Sequence, residues 1–571
     1  MNRSLRSFLA AATVLLILVF QIHTASAQSL DQATRLLNIE KTDEAITMLQ
    51  GLSQSNPMDI QTNFLLAKTL LKAGRKDDAI AIFQKLASGT PNTAETLLGA
   101  AQILILNNNV AAAKGNLDKV ARLAKKDAVI TRIVGESLLL AEKPDYAMAL
   151  DFLNKAQGMA KKDPDIYRAL AELYIQQNNA GKAVTQLEYV AEFDPTDASA
   201  HYAMGKIWER AKNEGMALQE YEKTIAQDPK FAAAYRRIID IYRASFRWSD
   251  VQQRSADLVT AGLAEKSDWR NYVNATFFAK DYAALTDIVP KALALYPEEA
   301  YLYRLLGYAQ YEKNDAANAL TTMKTFFERQ DPAKVLGLDY EYLGKIYEKL
   351  GVDSMAVVNY EKVVTQYDST GTKKELWGTI ASMYYKLKKW GAATNAFEQK
   401  IASKPDKVSD RDVMMLGYCQ FYNKQYPSAD ATFAKLIEMR PDLPAGNYWR
   451  GFTQQLMEND ANRAAGLNEE SPNFKTGAAK PYYDKFIEMI QTATDPNQYK
   501  NNLMRIYPYL ITYYGVNKDK DNTITYLKKY IEIKPDAQFY KDLLAQIEQY
   551  GFATTVPVTD GAKGKPKTGG Q

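Results

Sequence analysis

Apolar and small residues recur along this chain at three- and four-residue intervals nearly throughout. No stretch shows the two-residue alternation of a half-buried strand, so the pattern predicts consecutive helices and no sheet. A longer period lies over the helical one. Ala45, Ala79 and Ala113 are each separated by 34 residues, as are Pro57 and Pro91, and Tyr167, His201, Tyr235, Trp269 and Tyr303 keep the same step. Farther on, Ala319, Ala356, Ala393 and Ala429 follow at 37, 37 and 36 residues, which is the same unit with slightly longer turns.

The clearest copy runs from Pro164 to Asp197. Tyr167, Leu170, Ala171 and Tyr174 form one helical stripe; Ala183, Leu187 and Val190 form a second; Asn178, Asn179 and Gly181 mark the turn between them, and Pro195 follows. Helices this short are marginal alone in water, so each stripe must be buried on a neighbouring helix. Ala or Gly is required where two helices approach most closely, and aromatic rings fill the wider gaps. Proline fits just after the second helix, where it ends one unit and starts the next.

These spacings closely resemble the tetratricopeptide repeat family, with its loose pattern of aromatic, Leu, Gly/Ala, Tyr, then Ala, Phe/Tyr, Ala and Pro. His201, Met204, Gly205, Trp208, Ala217, Tyr221 and Pro229 make one ungapped copy, and Trp377, Ile380, Ala381, Tyr384, Ala393, Phe397 and Pro405 make another. Further copies centre on Gly307 with Ala319, on Gly344 with Ala356 and Tyr360, and on Gly417 with Ala429, Phe433 and Pro441. A register held over so many copies is the signature of a repeat array. The resemblance covers about residues 28 to 550 and implies an all-α, right-handed superhelical α-solenoid of about fourteen helix-turn-helix repeats.

Departures from the pattern suggest how the array is organised. Around Tyr235 and Tyr242 the unit carries Val251 and Ser255 where a small and an aromatic residue are expected, and it ends in Thr260-Ala261-Gly262 without proline. The array is therefore expected to bend or divide near residues 244–265, giving an N-terminal array over 28–263 and a C-terminal array over 264–550. Residues 458–477, rich in Asn, Gly, Ser and acidic side chains, form an insertion expected to loop out from one face. Residues 536–550 form a lone amphipathic helix, with Phe539, Leu543, Leu544 and Ile547 on one stripe, placed to cap the array. From Thr554 to Gln571 the residues are small, polar or lysine, and the tail 551–571 is expected to be disordered.

Residues 1–27 have the form of an export signal: Arg3 and Arg6, the apolar run Phe8 to Phe20, then Ala25-Ser26-Ala27. The run falls short of the ~20 residues a spanning helix needs, so cleavage before Gln28 is the expectation. Lys plus Arg number 71 against 67 for Asp plus Glu, and losing Arg3 and Arg6 takes the formal charge from +4 to +2. That balance offers no broad electrostatic attraction for nucleic acid or an anionic membrane. Cys419 is the only cysteine, so no intrachain disulfide can form, and it lies too far from the cleavage site for a lipoprotein anchor. A bacterial periplasm is the expected destination.

The inventory argues against catalysis and gives no reason to expect a cofactor or metal. His201 sits in the aromatic slot of its repeat and reads as a packing side chain, and Cys419 has no basic neighbour in sequence that would lower its pKa. Cys/His zinc sites, a phosphate-binding glycine loop and a nucleophile elbow are all missing. Acidic runs such as Glu469-Glu470 read as solvated loop charge.

In the resembled family the first helices of successive units line an inner face on which ligands commonly bind. That geometry puts Tyr301, Arg304, Tyr308 and Tyr311 on the inner face of one unit, then Met414, Tyr418, Phe421 and Tyr422, then Tyr448 and Phe452. Earlier units place Arg168, Glu172 and Gln176, or Lys206, Glu209 and Arg210, at equivalent positions, so the face runs from charged to aromatic. Tyrosines offer large contact area at low entropic cost and suit a peptide or a partner's helix. A one-residue change of helix phase would exchange inner and packed positions, so packing of the same rings remains an alternative. The resemblance implies a non-catalytic scaffold binding other proteins or peptides of the cell envelope, in a secretion, transport or outer-membrane assembly complex. A binding protein for a cell-wall glycan or exported polysaccharide, with tyrosines as sugar platforms, is the other reading.

Overall fold

The computed structural model describes residues 30–552 except residues 472, 493 and 494. The expected leader, 1–27, and all but the first two residues of the expected tail, 551–571, lie outside the described residues. Among the described residues there are 29 helices and no strand, arranged as fourteen consecutive packed pairs and one last helix. The chain divides into two compact units, residues 1–297 and 298–571. Pairs one to eight fall in the first, pairs nine to fourteen and the last helix in the second.

Local chemistry explains the pairing. In pair five, the Asp163 side chain caps the first helix, Pro164–Gln176, by accepting from the Asp165 amide at 3.0 Å, and Pro164 takes a position where no amide is needed. Asn178 then reverses the chain at φ +54°, in the left-handed region that Asn tolerates, and Asn179 caps Ala180–Phe193. The same sequence of a left-handed residue followed by an Asn or Asp cap recurs at Asn108-Asn109, Lys212-Asn213, Lys280-Asp281, Asn314-Asp315 and Lys518-Asp519.

Small residues set the spacing between helices. A Cβ on Gly205 would stand 2.5 Å from the Tyr221 ring, and one on Gly417 would stand 2.5 Å from the Phe433 ring. Each glycine therefore leaves the room its partner's ring fills. The last helix, Gln538–Tyr550, buries Leu543 and Ile547 in the same apolar cluster as Ile506, Leu510 and Leu527, and so caps the final pair.

Residues 244–265, where the repeat pattern lapses, lie inside the first unit. Val251 and Leu258 share an apolar cluster with Ile241 and Ala275, so packing continues through the stretch, and the boundary between units falls one helix pair later. The insertion at 458–477 is held down. Its first residues prolong the helix Pro444–Ala464, and the returning chain is tied to that helix: Asn462 and the Lys475 backbone exchange two hydrogen bonds at 2.6 and 2.8 Å. Nearby, the Tyr509 hydroxyl donates to Glu458 at 2.6 Å and accepts from the amides of Gly477 and Ala479 at 2.8 and 3.1 Å.

One polar clamp joins successive pairs in both units. Arg236 of pair seven grips Asp268 of pair eight at 2.8 and 3.1 Å, while Asp268 also accepts the Glu265 amide at the start of its helix. In the second unit Arg304 of pair nine grips Asp339 of pair ten at 2.7 and 2.9 Å, and Asp339 again takes the amide that opens its helix, from Leu336 at 2.7 Å. The carboxylates are buried, so they are affordable only with this full set of donors.

Candidate functional site

The inner face of the first unit is occupied by its own side chains. Lys68, on Ile60–Lys72 of pair two, donates to Glu136 of pair four and Glu172 of pair five, both at 2.6 Å. Arg132 pairs with the other oxygen of Glu136, and Lys72 stands 3.4 Å from Glu172. Arg168 bonds Asp197 and Ser199. At the far end Lys206 of pair six reaches Glu40, in the turn of pair one, at 2.7 Å, and Ile39 packs on the cluster that holds Ala198 and Tyr202. Glu209 accepts the Tyr221 hydroxyl at 2.7 Å, and Arg210 bonds Asn178. Apart from the bond of Glu209 within its own pair, the charged side chains named here are thus engaged in joining repeats.

Burial alone would push the Glu172 carboxyl up, but the ammonium groups of Lys68 and then Lys72 outweigh it and hold it at about 2; Glu136 is lowered on the same balance, by Lys68 and Arg132. Both values lie below those of the unfolded chain, so the stabilisation is complete above pH ~4.5 and is lost as pH falls from there toward 2. We expect this cluster to forfeit on the order of 2–3 kcal/mol over that window. Melting curves from pH 7 to pH 3 check it: Glu172→Gln should flatten the pH dependence of the first unit, and an unchanged slope would contradict the assignment.

The aromatic positions of the second unit separate into two groups with pairs ten and eleven between them. In the first, Arg304 and Tyr308 both serve Asp339, to which the Tyr308 hydroxyl donates at 2.5 Å. The Tyr308 ring is buried and stacks on Tyr342 with centroids 3.9 Å apart, and burial followed by the Asp339 charge drives its hydroxyl above the usual range. Tyr301 and Tyr311 are half-buried, Tyr311 standing edge-on to Tyr342 at 5.7 Å. Arg304 and Tyr308 therefore hold pair nine to pair ten.

The second group is brought together into one array. Asp410–Tyr422 of pair twelve carries Met414, Tyr418, Phe421 and Tyr422; Pro444–Ala464 of pair thirteen carries Tyr448 and Phe452. Phe421 and Tyr448 are buried, Met414, Tyr418 and Phe452 are half-buried, and Tyr422 is 44% exposed. Trp449, which the family geometry did not place on the inner face, is the hub, with ring centroids 4.8 Å from Tyr418, 5.1 Å from Phe421 and 6.2 Å from Tyr422. Burial lifts the Tyr418 hydroxyl to about 12. Arg505, from pair fourteen, lies 4.2 Å from the centre of the Phe452 ring and donates to the Tyr448 hydroxyl at 3.1 Å. On the other side Trp390, first residue of Trp390–Ser403 in pair eleven, stacks on Tyr422 at 4.8 Å and 24°.

Rings from pairs eleven to thirteen, closed by a cation from pair fourteen, thus form a continuous row with buried roots and a partly open surface. Such a row offers dispersion contact, ring stacking and one cation, and contains no nucleophile–base pair. Cys419, beneath it, is buried and its thiol is pushed up to about 12, so it is neutral. His201 is half-buried in the first unit, its Nδ1 2.7 Å from Glu220.

Two stretches, residues 40–95 and 139–207, match the tetratricopeptide repeat family. Over those two stretches the chain carries this repeat, and the fourteen helix pairs continue the same helix-pair arrangement along both units. Solved structures with the same repeats include the C-terminal part of a repeat-containing protein from Cytophaga hutchinsonii, 28% identical over 48% of this chain and 98% of its own, with a TM-score of 0.31. Pseudomonas aeruginosa PilF is 17% identical over 38% of this chain and 97% of its own, TM-score 0.26. A repeat protein from Parabacteroides merdae is 15% identical over 50% and 96%, TM-score 0.21. No curated protein matches the chain. Proteins of this family are in general scaffolds that bind other proteins or peptides, and the fold is typically non-catalytic.

Proposed function

We propose that this chain is a non-catalytic scaffold of the bacterial cell envelope, exported to the periplasm, that holds a segment of a partner protein along the aromatic row of pairs eleven to thirteen. The observation that carries the reading is the contrast between the two inner faces. In the first unit the charged side chains bond one another across repeats, whereas in the second Tyr422 is 44% exposed and the Tyr418, Trp449 and Phe452 rings are half-buried. Aromatic anchors on a rigid backbone are the side chains on which binding energy concentrates. The leader-like residues 1–27 support export.

Crosslinking in cells followed by purification tests the proposal. The wild-type chain, starting at Gln28, is expected to carry one protein in stoichiometric amount, and Tyr422→Ala to recover at least tenfold less of it with a melting temperature unchanged within about 2 °C, since an exposed ring adds little to stability. Recovery of a glycan in place of protein would overturn the scaffold reading in favour of the polysaccharide one.

A further inference from the structure

The turns that join first to second helices in pairs ten, eleven and twelve lie at one position of the repeat, and so form a row along one edge of the second unit. Their left-handed residues are Gly351, Lys388 and Lys424, with φ of +74°, +55° and +61°. Turn residues 348–353, 386–390 and 422–426 contain five lysines, Lys349, Lys386, Lys388, Lys389 and Lys424, against two carboxylates, Glu348 and Asp353. Both carboxylates are engaged: Glu348 accepts the Tyr360 hydroxyl at 2.7 Å, and Asp353 pairs with Lys386 at 2.5 Å. Among the described residues no carboxylate lies within ion-pair distance of the other four ammonium groups, which stand in exposed positions. On the opposite edge the turns 330–336, 366–375 and 403–409 hold five lysines against four carboxylates, Asp331, Asp368, Glu375 and Asp406.

Two exposed aliphatic side chains stand beside those cations. Leu350 is 39% and Val352 40% exposed, flanking Gly351 at the tip of one turn. We infer that this edge is a docking surface for a membrane leaflet rich in anionic lipid, with the lysines on headgroup phosphates and Leu350 and Val352 entering the boundary between headgroups and acyl chains. Cations beside exposed aliphatic side chains are the composition of an interfacial membrane contact, and a long lysine stem serves both layers. A row of turn tips is a rim, which meets a plane; a peptide is better served by the recessed aromatic row. The lysines and the two aliphatic side chains lie outside that row, so the inference does not depend on its reading.

Sedimentation of the full chain with vesicles of phosphatidylethanolamine and phosphatidylglycerol (70:30), and separately of phosphatidylcholine alone, tests the inference. The wild-type chain is expected to bind the anionic vesicles at least tenfold more tightly, and to lose that preference in 0.5 M NaCl. Lys388→Glu, Lys389→Glu and Lys424→Glu together, and separately Leu350→Ser with Val352→Ser, should each weaken binding at least fivefold with the melting temperature kept within about 2 °C. Lys334→Glu, Lys404→Glu and Lys407→Glu, on the opposite edge of a chain with the same termini, should change binding less than twofold. Equal losses from the two lysine triples, or no preference for anionic vesicles, would overturn the inference. Loss of a crosslinked acidic protein on reversing Lys388, Lys389 and Lys424, with vesicle binding untouched, would overturn it in favour of a protein contact.

Discussion

Asp339→Ala is expected to cost the second unit about 3–5 kcal/mol, the loss typical of removing one member of a buried ion pair. Asp339 is fully buried and satisfies three groups at once: the Arg304 guanidinium through two bonds, the Tyr308 hydroxyl, and the Leu336 amide that opens Gly337–Lys349. Without it Arg304, whose side chain is 16% exposed, keeps the Lys334 carbonyl and the face of the Phe326 ring but no carboxylate, and the Tyr308 hydroxyl loses its acceptor at Asp339. Tyr308→Phe, which removes one donor and keeps the ring stacked on Tyr342, should cost only about 1 kcal/mol. Urea unfolding of the two variants checks the ratio. An Asp339→Ala loss below 1 kcal/mol would mean that the clamp does not hold pairs nine and ten together.

Gly99→Val is expected to be comparably damaging in the first unit. A Cβ there would stand 2.6 Å from both the Phe83 carbonyl oxygen and the Ala87 amide nitrogen, in the preceding helix Lys76–Ala87. Those are backbone atoms of a regular helix and cannot swing aside as a ring can, so the two helices must separate and open the contacts of Phe83 and Leu86, both fully buried. Overpacking of this kind costs at least about 1–3 kcal/mol, and the valine methyls add to it. Gly115, in the second helix of the same pair, has nothing within 4 Å of its Cβ position. Gly115→Ala should therefore stabilise by about 0.5–1 kcal/mol, as alanine is the better helix former. Thermal melts of the two variants should move in opposite directions.

The repeat was legible because it is a local property. Caps such as Asp163 and Asn179, small residues such as Gly205 and Gly417, and the stripe of Tyr167, Leu170 and Ala171 all act within 20 residues of one another, and their spacing counts out the fourteen pairs and the last helix. What the period could not carry is pairing between distant repeats. Glu172 looked like a free groove charge from its place in one repeat, yet its partner Lys68 lies 104 positions away, and Lys206 finds Glu40 across 166. Arg304 and Tyr308 looked like neighbours of Tyr311 on an open face, and Asp339, from the next repeat, draws them inward. Trp390 begins a second helix, whereas the family geometry puts ligands on first helices; only the stacking of adjacent repeats brings it to Tyr422.

The central claim is that the aromatic row of pairs eleven to thirteen is where this scaffold holds its partner. It is tested most directly by placing a photoreactive benzophenone side chain at position 422 and, as a control, at position 355, on a second helix where Met355 is 43% exposed. Irradiation of cells should join position 422 to one protein species and leave position 355 without it. Equal yields from the two positions, or no protein adduct from position 422, would contradict the account.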